Sequence, residues 1–122
     1  MMKILYAEDD EDIREIVKTS ILNNYKTRLV EFIEFDNGRA ALEYFTLNRC
    51  GVDLILTDNL MPGMTGTDLV YHVRTDLQDL GIPIIMHTTT AGIESSVDCI
   101  VVEKCKIGAL VTLVGELLCA FK

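Results

Sequence analysis

Short apolar runs alternate with amphipathic stretches along the whole of this 122-residue chain. The runs are rich in Ile, Val and Leu and favour strands, whereas the stretches between them repeat apolar residues at intervals of three and four, which is typical of helices. The predicted strands are residues 3–7, 28–34, 52–57, 82–87 and 99–102. The predicted helices are residues 12–23, one opening at Asn37, one capped by Thr65 or Thr67, and 108–121.

The order of these elements predicts an α/β domain. Strands that are apolar along nearly their whole length are buried on both faces, which is the pattern of a parallel sheet covered by helices. We therefore expect a doubly wound, five-stranded parallel sheet with helices on both sides. The chain length fits one domain over residues 1–122. Whether that domain stands alone or belongs to a longer protein stays open.

Polar residues stand where the predicted strands end. The first strand runs into residues 8–10 (EDD), the third into Asp58, the fourth into Thr88 and the fifth into Lys104. Ligand sites of parallel sheets form at these carboxyl ends. Crowded carboxylates repel one another unless a cation lies among them, and oxygen ligands at a small site suit Mg²⁺. The alternative is that the acidic run is only a solvated helix start, where acids are favoured.

Charge and composition narrow the classes of partner. The formal net charge of −8 disfavours a nucleic-acid partner and favours a cation or a basic protein surface. No apolar run approaches the ~20 residues of a membrane span, and no signal peptide is visible, so we expect a cytoplasmic protein without membrane contact. The four cysteines lack metal-ligand spacing, and we expect reduced, mostly buried thiols.

Four stretches, taken together and in this order, resemble the response regulator receiver domain, the phosphoacceptor module of two-component signalling. They are ILYAEDDEDI (4–13), LILTDNLMPGMTG (54–66), IPIIMHTT (82–89) and EK (103–104). The resemblance implies a flavodoxin-like sheet with strand order 2-1-3-4-5. It also implies a signalling domain rather than a conventional enzyme, although such a domain can catalyse its own phosphorylation and dephosphorylation.

The resemblance implies a role for each acid of the site. Asp58 is the expected phosphoacceptor. Asp9 and Asp58 are expected to bind Mg²⁺ directly, Glu8 through a water, and Leu60 through its backbone carbonyl. Asp10 is expected to be surface charge rather than a ligand.

The remaining two site residues are expected to contact the phosphoryl group. Thr88 would donate a hydrogen bond to one phosphoryl oxygen, and Lys104 would pair with another. The donor would be a histidine kinase or phosphotransfer protein, and the signal would pass to a downstream protein. The alternative is a pseudo-receiver that works as an interaction module without phosphorylation. An aspartate-nucleophile phosphatase is disfavoured, because Leu60 stands where that class needs an acid–base aspartate.

Three features depart from the family pattern. Residues 89–98 are too few for a full helix, so we expect a shortened or irregular fourth helix there; the alternative is that the last strand is misplaced. Cys105 follows Lys104 where the family usually has proline, and we expect a trans bond. Val101 stands where the family has an aromatic ring, which puts the usual output switch in doubt.

The last predicted helix is apolar around much of its circumference. A helix that packs on a core needs one apolar stripe. The surplus includes Val111 with Leu118 or Cys119. This surplus indicates either a homodimer or partner surface, or a helix that is covered more deeply than usual because no full helix precedes it.

Overall fold

The computed structural model describes residues 1–25, 29–90, 92–96 and 98–120. Five parallel strands form one sheet in the order β2-β1-β3-β4-β5. The fold class and the strand order are therefore the predicted ones. The elements are β1 (Met2–Ala7), α1 (Glu11–Asn24), β2 (Val30–Phe35), α2 (Gly38–Leu47), a 3₁₀ turn (Arg49–Gly51), β3 (Leu54–Thr57), α3 (Gly66–Tyr71) with a π-helical continuation (His72–Asp76), β4 (Ile84–Thr88), β5 (Ile100–Glu103) and α4 (Ile107–Ala120).

Helices cover both faces of the sheet because successive strand residues point to opposite sides. On β1, Ile4 and Tyr6 face α1 and α4, while Leu5 and Ala7 face α2 and α3. The three central strands are buried along almost their whole length. This burial explains why their sequences show no polar face.

Capping residues fix where the helices begin. Asp10 caps α1 by accepting hydrogen bonds from the backbone N–H groups of Asp12 and Ile13, at 3.0 and 3.2 Å. Thr65, one of the two predicted caps, begins α3 through a capping box with Asp68. Asp10 is exposed, as expected for surface charge, and it also caps α1.

The segment between β4 and β5 contains no helix among residues 92–96 and 98. Buried Arg74 donates to the backbone carbonyl of Asp98 from two guanidinium nitrogens, at 3.0 and 2.6 Å. The Ser95 hydroxyl oxygen accepts from the Val101 backbone N–H at 2.8 Å. Side chains thus hold this irregular segment, and the predicted loss of a full helix is confirmed for the described residues.

Several details of the prediction were wrong. The second strand begins at Val30 rather than at position 28, and the other later strands begin one or two residues after their predicted starts. Three of the four cysteines are exposed, and only Cys99 is buried, because the others lie in loops or on the outer side of α4. Positions 28, 91, 97 and 121 of the predicted segments lie outside the described residues.

Helix α4 is covered more deeply than a single apolar stripe requires. Val111, one of the surplus apolar residues of this helix, is 9% exposed and belongs to the core that α4 shares with α1. The Tyr25 hydroxyl donates a hydrogen bond to the backbone carbonyl of Val111 in this helix, at 2.9 Å. Of the two alternatives for the apolar surplus, deeper cover holds for Val111, while Leu118 is half-buried and Cys119 is exposed. No helix in the described part of the chain is long and apolar enough to span a membrane.

Candidate functional site

Three carboxylates meet at the carboxyl edge of β1 and β3. Glu8 is 1% exposed and Asp58 is 5% exposed, while Asp9 faces solvent. One carboxylate oxygen from each of the three lies within 4.8 Å of the others. The register places Ala7 beside Thr57, so the residues that follow them emerge side by side. The structure thus brings together the three acids that the sequence predicted.

The ammonium of Lys104 bridges two of these acids. Its Nζ donates to Asp58 Oδ2 at 2.8 Å and pairs with Glu8 Oε1 at 2.9 Å. Burial lowers the pKa of Lys104, but its hydrogen bonds to Asp58 and Glu8 outweigh burial and raise the pKa above its ordinary value. The lysine is therefore a fixed cation between two buried carboxylates rather than a surface side chain.

Glu8 is held in an unfavourable environment for a charge. Burial and, to a smaller extent, the charge of Asp58 raise the pKa of Glu8 to about 7, although the hydrogen bond from Lys104 lowers it. Glu8 Oε2 also accepts a 3.2 Å hydrogen bond from the backbone N–H of Asp10. The site thus has more negative charge than the lysine alone compensates.

Asn59 connects the Asp58 carboxylate to the start of α3 through hydrogen bonds. The backbone N–H of Asn59 donates to Asp58 Oδ1 at 2.6 Å, and the Asn59 carbonyl accepts from the Gly66 N–H at 2.8 Å. The Asn59 side-chain oxygen accepts from the N–H and the hydroxyl of Thr67, at 3.0 and 2.8 Å. Sequence reasoning missed Asn59, because an amide in a loop carries no periodic signal.

Thr88 lies at the end of β4 with its side chain buried. Its hydroxyl donates to Thr90 Oγ1 at 3.1 Å and accepts from the Thr90 N–H at 3.0 Å. The Asn59 amide donates to the same Thr90 hydroxyl at 3.3 Å. The hydroxyl of Thr88 is therefore tied into a short turn beside the acids.

Three other sequence expectations concern the surroundings of the site. Leu60 has a side chain that is 60% exposed, and the role of its carbonyl as a metal ligand stays a prediction. Val101 lies half-buried on β5 and has no ring to rotate. The Lys104–Cys105 bond is trans, as predicted, since the described residues contain no cis peptide.

Two buried polar side chains near the site were not singled out from the sequence. The hydroxyl of Tyr6 and both ring nitrogens of His87 lack hydrogen-bond partners within the described residues. Both residues sit inside apolar runs, so the sequence pattern marks them only as core. Their pKa values shift in the directions that burial dictates: upward for Tyr6 and downward for His87.

Comparison with known proteins decides the family. The response regulator receiver domain profile matches residues 4–107, which is most of the chain. The chain belongs to this family. As a receiver domain it resembles the chemotaxis protein CheY1 of Helicobacter pylori, with 35% identity over 91 residues that cover 75% of this chain and 70% of the relative.

Solved structures agree with the fold of this receiver domain. A Francisella response regulator receiver domain superimposes with a TM-score of 0.81 at 24% identity over the full length of both chains, which bears on the fold alone. The response regulator TrrA of Thermotoga maritima, solved in complex with Mg²⁺–BeF, superimposes with a TM-score of 0.77 at 26% identity and covers 96% of this chain and 99% of that one.

The acidic cluster has the donor chemistry of a magnesium site. Mg²⁺ prefers hard oxygen ligands and keeps several waters, and it takes only one or two carboxylates directly. Buried Glu8 and Asp58 supply fixed oxygens, and exposed Asp9 leaves one side open to water. The residues present therefore fit Mg²⁺.

Proposed function

We propose that this receiver domain accepts a phosphoryl group on Asp58 from a histidine kinase or phosphotransfer protein in a Mg²⁺-dependent reaction. The observation that supports this most is the setting of the Asp58 carboxylate. It is nearly buried, held at one oxygen by the Asn59 N–H and at the other by Lys104, and placed within 4.8 Å of two further acids.

The proposed chemistry is nucleophilic attack by a carboxylate. An Asp58 oxygen forms a bond to phosphorus, the bond from phosphorus to the donor nitrogen breaks, and the electron pair returns to the donor imidazole. Phosphoryl transfer depends mainly on positioning and on compensation of charge at the phosphoryl oxygens. Lys104 would move from Asp58 to one such oxygen, and Thr88 would donate its hydroxyl to another.

The residues proposed to hold the metal are Asp9, Asp58 and the Leu60 carbonyl directly, and Glu8 through a water. When bound there, Mg²⁺ would supply positive charge to the acids and to the phosphoryl oxygens. Because Lys104 compensates only part of the acidic charge, we expect the cation to stabilise the native state as well. Titration with MgCl₂ should therefore raise the midpoint of thermal unfolding.

Phosphorylation with a small donor tests the proposal. The protein is incubated with acetyl phosphate and MgCl₂, and intact mass spectrometry counts added phosphoryl groups. Asp58→Asn should abolish the adduct. Asp10→Asn is the matched control, because it removes one charge from the same acidic run yet keeps the helix cap, since Asn caps as well as Asp. An adduct that survives in Asp58→Asn would contradict the assignment of the site.

A pseudo-receiver that acts without phosphorylation is the second candidate. It is favoured by Val101, which has no ring, and by the irregular segment at residues 92–96. This alternative predicts a folded protein that takes no phosphoryl group from any donor and does not bind Mg²⁺. The same mass-spectrometric experiment, with isothermal titration of MgCl₂, separates the two functions.

The proposed partners and location follow from the phosphoacceptor function. The phosphodonor and a downstream protein would contact the carboxyl edge and the neighbouring helices in the cytoplasm, with no direct nucleic-acid or membrane contact. A homodimer through α4 stays a prediction, now limited to the half-buried and exposed side chains near its end, such as Leu118 and Cys119. Sedimentation of the purified protein with and without phosphorylation tests it.

A further inference from the structure

Asn59 is a buried side chain directly after the proposed phosphorylation site, and the orientation of its amide is fixed. It is 7% exposed, and its Oδ1 accepts from the backbone N–H and the hydroxyl of Thr67, at 3.0 and 2.8 Å. A backbone N–H can only donate, so the atom that faces Thr67 must be the amide oxygen. The amide nitrogen therefore faces the other way and donates to Thr90 Oγ1 at 3.3 Å.

The Thr90 hydroxyl oxygen accepts two hydrogen bonds. One comes from the Asn59 amide, and the other comes from the Thr88 hydroxyl at 3.1 Å. A hydroxyl oxygen has two lone pairs, so these two donors use both of its acceptor positions. The backbone N–H of Thr90 in turn donates to Thr88 Oγ1 at 3.0 Å. The Thr88 hydroxyl is thus bound to Thr90 twice, once as a donor and once as an acceptor.

The Thr88 hydroxyl has a single proton, for which two acceptors compete. In the structure this proton is donated to Thr90 Oγ1. The proposed phosphoryl transfer to Asp58 requires the same proton for a phosphoryl oxygen. The bond from the Thr90 backbone N–H can persist while the hydroxyl turns, because it binds the Thr88 oxygen and not the proton. The bond from Thr88 to Thr90 Oγ1 is therefore the contact that phosphorylation has to break.

We propose that Thr90 is a positioning residue for Thr88: with its Oγ1 oriented by Asn59, it holds the Thr88 proton in the unphosphorylated protein and releases it to the phosphoryl group. The inference rests on the proposed function, because only transfer to Asp58 brings in the second acceptor. A charged phosphoryl oxygen is a stronger acceptor than a hydroxyl oxygen, so the proton moves to it once the group is in place. The bond to Thr90 is lost in this exchange, which lowers the net gain from the new contact.

Thr90→Val removes the acceptor for Thr88 with little change of shape, because a methyl group replaces the hydroxyl and the backbone N–H stays. Thr90→Ser keeps a hydroxyl and should restore the wild-type behaviour. Thr89→Val is the matched control, because it makes the same chemical change at the adjacent residue, whose exposed side chain makes no hydrogen bond to other described residues. Intact mass spectrometry follows the initial rate of phosphorylation at several concentrations of acetyl phosphate with excess MgCl₂.

We expect Thr90→Val to raise the maximal rate of phosphorylation about fivefold, since one hydrogen bond no longer has to be broken before Thr88 donates. The half-saturating acetyl phosphate concentration should stay unchanged, because Thr90 acts through Thr88 and not on the donor. Thr90→Ser and Thr89→Val should match the wild type. A rate in Thr90→Val equal to or below the wild-type rate would overturn the proposal. So would an equal rise in Thr90→Ser, since loss of the hydroxyl could then not explain it.

NMR measurements without any phosphodonor keep the inference separate from the proposed function. In the wild type the Thr88 hydroxyl proton should exchange slowly with solvent, and the exchange should become faster in Thr90→Val but not in Thr90→Ser. The ¹⁵N shift of the Asn59 side-chain amide should change in Thr90→Val alone. If the wild type accepts no phosphoryl group, the proposed function fails, and proton exchange still tests the bond from Thr88 to Thr90. Unchanged exchange at Thr88 in Thr90→Val would refute that bond.

Discussion

Gly66 is the position at which one added methyl group should disturb the site most. It is the first residue of α3, and a Cβ there would lie 2.2 Å from the backbone carbonyl oxygen of Asp58 and 3.0 Å from the Asn59 Cα. Ordinary contacts of a Cβ begin at 3.4 Å, so the methyl group would be about 1 Å too close to backbone that cannot rotate away. Close approach, rather than an unusual backbone conformation, requires glycine here.

The expected cost of Gly66→Ala follows from that distance. Helix α3 must move away from the Asp58–Asn59 peptide, which strains the 2.8 Å hydrogen bond from the Gly66 N–H to the Asn59 carbonyl. Overpacking of this kind costs typically 1–3 kcal/mol, and the gain in helix propensity returns at most about 1 kcal/mol. Because the clash is with backbone, we expect the free energy of unfolding to fall by about 2 kcal/mol and the Tm by roughly 8 °C.

Gly108→Ala is the matched control for this prediction. Gly108 is the second residue of α4, and a Cβ there meets nothing within 4 Å. The free energy of unfolding of the control should rise by up to about 1 kcal/mol, because alanine favours the helix and reduces the freedom of the unfolded chain. Urea unfolding followed by circular dichroism measures both variants, and equal m values make their midpoints comparable. A Gly66→Ala protein as stable as the wild type would refute the reasoning.

Three further measurements test other parts of the structure. Arg74→Leu should cost about 3 kcal/mol, because it removes buried hydrogen bonds to carbonyls, and hydrogen exchange near Asp98 should become faster. Burial lowers the pKa of His87, so below pH 6.5 the unfolded chain binds a proton at this residue more readily than the native protein does. The wild type should therefore lose stability below pH 6.5 relative to His87→Phe. Urea unfolding at several pH values measures this difference. A thiol reagent should label three cysteines quickly and reach Cys99 only on unfolding, and fast labelling of Cys99 would contradict its burial. The three expected to react are Cys50, Cys105 and Cys119.

The acids and the lysine of the candidate site could be predicted because parallel strands all end at the same edge of the sheet. All its strands point the same way, so residues that follow Ala7, Thr57 and Glu103 must meet at one edge whatever their distance in sequence. What could not be predicted was the pairing within the site. That Lys104 bridges Glu8 and Asp58 depends on side-chain directions that no periodicity encodes.

The residues that sequence reasoning missed share a physical cause. Asn59 matters because its oxygen accepts from Thr67 while its amide reaches Thr90, a contact across 31 positions. His87 and Tyr6 matter because they are polar groups in places where the pattern predicts only burial. Hydrogen-bond partners, present or lacking, are properties of the packed chain rather than of the local sequence.

The segment at residues 92–96 and helix α4 show which features the sequence determined and which depended on tertiary contacts. The sequence by itself determined the five strands, their parallel arrangement and the acidic edge, because apolar periodicity is a local property and strands that alternate with helices run parallel. Tertiary structure decided how residues 92–96 are held without a helix, through Arg74 and Ser95, and how deeply α4 is covered. These outcomes depend on contacts between residues far apart in the chain, which form only once the sheet has brought them together.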